Sequence, residues 1–129
     1  MSSSRDPDNP GAWLARANSN LMLAESGRRT GVFLEDLCFE TQQAAEKALK
    51  SVMLARGISF RLVHDLSEHL TLLEQNGVSI PEEVRSAAIL SDYSVAARYP
   101  GPYEPVTESE FRESLEIAEA VVAWAESQL

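Results

Sequence analysis

The stretch Ala97-Arg98-Tyr99-Pro100-Gly101-Pro102-Tyr103-Glu104 sets a guanidinium beside two phenol rings in a proline-rich segment. Proline has its φ already fixed, so holding such a turn costs little conformational entropy. A planar guanidinium flanked by aromatic faces suits recognition of a phosphate and a base together. Arg98 also falls at the end of an expected helix, where the helix dipole alone favours a cation. Both readings of Arg98 stand.

A second group lies on the central run Gln42-Gln43-Ala44-Ala45-Glu46-Lys47-Ala48-Leu49-Lys50. Gln43, Glu46, Lys47 and Lys50 share one polar helix face, with Glu46 and Lys50 at ion-pair spacing. This is either a solvated face or one side of a cleft, and the pattern leaves both open. Lys47 and Lys50 are the only lysines, the remaining nine of the 11 cationic residues being arginine. His64 precedes an expected helix cap at Asp65, where a local hydrogen bond explains it as well as a role in a site does. Asp65 and His69 are spaced to share a helix face, as two metal ligands or as a cap and a half-buried histidine. Two histidines and one cysteine leave few ways to build a metal centre, so none is expected. Cys38 falls on the apolar side of its helix and reads as an inert core thiol.

Other catalytic signatures are missing. There is no phosphate-cradling glycine loop, no paired-histidine metal motif and no nucleophile elbow, and no cofactor is expected. The net charge is -9 and the pI about 4.6. Non-specific nucleic-acid binding depends on neutralising phosphates with Lys and Arg, so generic duplex DNA binding is not expected. A lone cysteine allows no internal disulfide and fits a reducing compartment. The N-terminal residues carry no apolar signal, and no apolar run approaches the roughly 20 residues of a membrane helix. A cytoplasmic protein with no membrane association is expected.

Positioning these residues requires helices, because helical spacing recurs and two-residue alternation does not. Asn9-Pro10 is a cap followed by proline, opening a helix with Trp13, Ala17, Leu21 and Ala24 on one stripe and Gly27 at its end. The second helix runs from about Val32 to Arg56, with Gly57 as its stop. Asp65 and Glu68 resemble a capping box for a short helix carrying Leu66, Leu70 and Leu73. Ser79 and Glu82 open a fourth, with Val84, Ala88, Ser91 and Val95 on one face, leading to Arg98. Thr107 and Glu110 cap the last, whose core face carries Phe111, Leu115, Ala118, Val122 and Ala125. The expectation is one all-α domain over residues 1–129, with 1–9 flexible. It would be an antiparallel four-helix up-and-down bundle with one additional short helix.

Three features in this order resemble the HEPN family: Gln42 to Lys50, then Val63-His64-Asp65-Leu66, then Arg98-Tyr99-Pro100. The resemblance spans about residues 12 to 128. It implies the same bundle, usually as a homodimer, and often a minimal nucleotidyltransferase as partner in a toxin–antitoxin pair; some relatives are proposed to bind nucleotides. Its ribonuclease members carry an arginine followed, after four to six residues, by a histidine. Here Tyr103 stands after four, then Glu104 and Pro105, and no histidine follows Arg98 at all. Tyrosine, with a pKa of about 10, is a poor proton acceptor at neutral pH. The expected function is a non-catalytic binding module holding a nucleotide, an RNA end or a nucleotidyltransferase-type partner around Arg98, Tyr99, Tyr103, His64, Lys47, Lys50 and Gln43. Two rivals are a metal-independent ribonuclease toxin with an altered site, in which Arg98 and His64 act, and a purely structural interaction domain.

Overall fold

The computed structural model describes residues 7–61, 65–93 and 105–129. Among them every regular element is helical: α1 Pro10–Ser26, α2 Leu34–Ala55, α3 Leu66–Gln75, α4 Glu82–Arg85 and α5 Glu108–Gln128, with a 3-10 helix Ser86–Tyr93 continuing α4. The local signals explain most boundaries. Asn9 accepts a hydrogen bond from Gly11 N at 3.0 Å, and Pro10 occupies the first helical position, where its missing N–H is no loss. Just before α1, the Trp13 indole N–H donates to the Pro7 carbonyl at 2.7 Å, tying the entering chain to the helix.

Gly27 ends α1 for a reason other than backbone freedom, because its φ is -80°. A Cβ there would lie 2.6 Å from the Leu23 carbonyl oxygen of α1's own backbone, and 2.6 Å from Leu37 Cδ2 on α2, so a side chain here would force the helix end or Leu37 to shift. Gly57 is the conventional case. Its φ of +69° lets the chain turn back after α2, and Ile58 N donates to the Met53 carbonyl at 2.9 Å. At α5 the expected capping box forms in full: Glu110 N donates to Thr107 Oγ1 at 3.1 Å and Thr107 N to Glu110 Oε1 at 2.9 Å.

Two expected starts differ. Asp65 caps α3 by accepting from Ser67 N at 3.0 Å, but Glu68 reaches Arg61 at 3.2 Å instead of closing a box. Pro81, not Ser79, is the residue before α4, and no side chain caps it. The fourth helix also departs from the expected α period. After one α turn it tightens to 3-10, and the buried positions become Val84, Ala87 and Leu90, with Tyr93 packed against the core. A three-residue period stacks these four on one face, whereas an α-helical period selects Ala88 and Ser91, both only half-buried. Ser91 is used differently: its hydroxyl accepts from Leu66 N at 2.9 Å, satisfying a donor at the start of α3. The part of this expected helix beyond Tyr93, including Val95, lies outside the described residues.

Contacts between helices fix the chain directions. Asn20 of α1 meets Glu40 and Lys47 while Trp13 meets Lys50, so α1 and α2 run antiparallel. Arg28 bonds Glu108 and Asn18 bonds Glu126, so α5 runs antiparallel to α1. Tyr93 packs near Leu37 and Phe111 while Arg85 pairs with Glu74, so the α4 and 3-10 segment climbs toward the start of α2. These directions make an up-and-down arrangement of α1, α2, the α4 and 3-10 segment, and α5, with α3 as the extra short helix. The core centres on Ala44, Ala48, Leu49, Val52 and Met53 of α2, against Ala17 and Leu21, Leu66 and Leu73, and Val121 and Ala125.

Candidate functional site

On one side of α2 the core turns polar. Gln42, Glu46 and Lys50, four residues apart, are all buried; Glu46 is 3% and Lys50 4% exposed. Burying a charge is costly unless it is paired and hydrogen-bonded, and this arrangement supplies the partners along the helix. Gln43 Nε2 donates to Gln42 Oε1 at 2.8 Å, Gln42 Nε2 to Glu46 Oε1 at 3.0 Å, and Lys50 Nζ to Glu46 Oε2 at 3.0 Å. The solvated-face reading of this run is therefore corrected. Gln43 and Lys47 are half-buried, whereas Gln42, Glu46 and Lys50 sit inside the bundle.

Rings close over the ammonium. Lys50 Nζ lies 5.4 Å from the Trp13 ring centroid and 5.6 Å from that of Phe60, within cation–π range. The two rings meet edge to face at 6.3 Å, and Phe60 meets the fully buried His69 the same way at 6.2 Å. His69 is thus a core residue, not the half-buried one expected. Asp65 is exposed and serves as the α3 cap, so the two present no shared metal-binding face. Among the described residues, no group of three His, Cys, Asp or Glu could hold a metal ion.

Lys47 is placed differently. It is half-buried, and its Nζ donates to Asn20 Oδ1 at 2.8 Å, while Asn20 Nδ2 donates to Glu40 at 2.8 Å. Burial holds its pKa below the usual lysine value, with the Glu40 carboxylate opposing that shift. Lys47 and Lys50 are each committed to protein partners. Most described arginines are committed too: Arg28 and Arg112 to Glu108, Arg61 to Glu68, Arg85 to Glu74 and Arg56 to Gln128.

Two of the described groups that could act as nucleophile or acid, Cys38 and Tyr93, are shifted upward. Burial pushes the Cys38 thiol up to about 11, with its Sγ 3.5 Å from Ser114 Oγ. Burial likewise raises Tyr93 to about 12. The structure therefore joins Gln43 and Lys50 in one hydrogen-bonded ladder and sets Lys47 apart from it. Arg98, Tyr99, Tyr103 and His64 lie outside the described residues. Sequence reasoning missed Gln42, Trp13 and Phe60 as members of the polar-aromatic cluster. The four-residue spacing of Gln42, Glu46 and Lys50 was a signal for the ladder, but no sequence pattern reports which rings close over it.

The described residues form an all-helical bundle with a buried polar ladder on its central helix. The HEPN domain model matches residues 11–128, and the chain belongs to the HEPN family. Two solved structures are similar over nearly their whole length. The TT1696 protein from Thermus thermophilus is 34% identical with a TM-score of 0.80, the match covering 93% of this chain and 98% of that one. ST0689, described as an archaeal HEPN homologue, is 28% identical with a TM-score of 0.73, covering 93% and 97%. No curated protein matches the sequence. No helix among the described residues is long and apolar enough to cross a membrane.

Proposed function

We propose that this chain is a non-catalytic HEPN module. It works as a homodimer and engages a nucleotidyltransferase-type partner, or a nucleotide or RNA end, through Arg98 and Tyr99. The observation that carries the reading is the placing of its histidines. Both precede Arg98 in the chain, and His69 is fully buried beneath Phe60. The histidine that ribonuclease relatives carry after the arginine is thus missing, and His69 is not accessible to a substrate. The engaged lysines and arginines, on a chain of net charge -9, support a protein partner or a short anionic ligand over a long polyanion.

The test uses the purified full chain with total RNA, and with nucleoside mono-, di- and triphosphates followed by thermal shift. The expected result is no cleavage. Nucleotide binding, where it occurs, should weaken about tenfold or more in Arg98→Ala, in line with loss of one charged hydrogen-bonding group. RNA cleavage that Arg98→Ala abolishes while the helical circular dichroism is unchanged would overturn the proposal in favour of an altered ribonuclease. A monomer by light scattering at micromolar concentration would remove the dimer.

A further inference from the structure

Arg16 and Lys47 meet at one level of the α1–α2 contact. Trp13 of α1 lies against Lys50 of α2, and Asn20 of α1 bonds both Glu40 and Lys47. Because the helices run antiparallel, the turn between Trp13 and Asn20, which carries Arg16, faces the part of α2 that carries Lys47. The Arg16 charge accordingly acts on Lys47 and disfavours a second cation beside it. Arg16 itself is exposed and makes no hydrogen bond or ion pair among the described residues.

The two lysines differ in what their nitrogens touch. Lys50 is sealed against the Glu46 carboxylate. Lys47 is half-buried, and its one hydrogen bond among the described residues goes to a neutral oxygen, Asn20 Oδ1, at 2.8 Å. Glu40 fixes that amide from its other side at 2.8 Å, so the direction of the bond is set. Donating one N–H to Asn20 leaves an unprotonated Lys47 nitrogen with its lone pair unused. Burial favours that unprotonated form; Glu40 and Glu46 oppose it, and the Arg16 and Lys50 charges add to it. A partly desolvated amine beside other cations is the setting in which lysine becomes a nucleophile.

We propose that Lys47 is an acylation site for acyl phosphates, with Arg16 attracting the phosphate end of the donor. The Lys47 Nζ lone pair attacks the carbonyl carbon and forms the new C–N bond. The bond from that carbon to the phosphate oxygen breaks, and phosphate leaves with the electron pair, facing Arg16. The nitrogen gives its surplus proton to solvent, and nothing is oxidised or reduced. The product amide keeps one N–H for Asn20 and loses the charge that faces Glu40. None of this depends on Arg98 or on what the chain binds.

The full chain is incubated at pH 7 with acetyl phosphate and with Nα-acetyl-lysine amide as an internal competitor, and acylated positions are followed by mass spectrometry. Lys47 should react faster than the competitor, and the sealed Lys50 slower. The ratio of Lys47 to competitor should fall as pH rises toward the ordinary lysine pKa of about 10.4, since the competitor gains free amine over a range where Lys47 already has it. Arg16→Gln, at an exposed position, should lower the acetyl phosphate rate relative to the rate with phenyl acetate, which has no phosphate. That donor ratio should drop about two- to fivefold, as for an exposed charge contact. The fraction of free amine cancels in it, so it reads the attraction for phosphate alone. A Lys47 rate at or below that of the competitor at pH 7 would overturn the proposal, and so would a donor ratio unchanged by Arg16→Gln.

Discussion

Two cation–carboxylate pairs, one lysine and one arginine, sit in opposite surroundings. Lys50 and Glu46 meet at 3.0 Å with side chains 5% and 4% exposed, whereas Arg85 and Glu74 meet at 2.8 Å with 47% and 38% exposed. The surface pair has the better geometry, since Arg85 donates to both Glu74 oxygens at 2.8 Å. It nevertheless contributes less to any single-residue change, because water takes over when a partner leaves. The buried pair has no such substitute. Geometry alone therefore does not rank these contacts; what surrounds the charge does.

The sharpest way to break this comparison is to remove one buried partner. Lys50→Met takes the cation away from the buried Glu46 carboxylate, which keeps its Gln42 hydrogen bond, and should lower unfolding free energy by about 3–5 kcal/mol, read from urea denaturation. Replacing the ladder whole, as Gln42→Leu/Glu46→Leu/Lys50→Met, removes both buried charges of the pair together. That variant should be between neutral and about 4 kcal/mol more stable than the parent. A triple variant as unstable as the single one would mean that the ladder itself sustains the fold, and that the carboxylate left without its cation is not the cause of the loss.

At the surface, Arg85→Ala should move the urea midpoint far less than Lys50→Met does, and less still in 1 M salt, which screens exposed charges. A comparable or salt-independent loss would erase the distinction between the two sites. The smallest effect concerns a like-charge contact. Glu119 has its pKa raised above the usual glutamate value by a shared hydrogen bond with Glu25, then by burial and by the Glu25 and Glu116 charges. A carboxyl raised in the fold favours the folded state when protonated. That contribution is present below the unfolded pKa and is lost as pH rises through the raised value. Glu119→Gln should therefore raise Tm slightly at pH 7 and leave it unchanged near pH 3. An equal gain at both pH values would refute the carboxyl pairing.

The elements with strong end signals were legible in the sequence. Asn9-Pro10, Gly57 and the Thr107–Glu110 box each have a local physical cause, and each marks a real boundary. The α4 segment is ambiguous on paper. Val84, Ala87, Leu90 and Tyr93 fit a three-residue period, while an α-helical stripe over Val84, Ala88 and Ser91 fits nearly as well. Only packing against α3 and the core selects between them. The ladder is hard to read for a related reason. Polar residues at helical spacing on α2 look alike whether they face water or a neighbouring element, and the neighbours here, Trp13 and Phe60, come from 37 residues before Lys50 and ten after it. The position of Arg98 relative to that ladder is a tertiary fact of the same kind.

Cys38, fully buried between α2 and α5 with a raised thiol pKa, gives the molecule a chronometer of its own. A thiol reagent reacts with thiolate, so it meets almost none while the helices are closed. Its rate of modification counts how often α2 and α5 separate, and because the sequence holds no other cysteine, the signal has a single source.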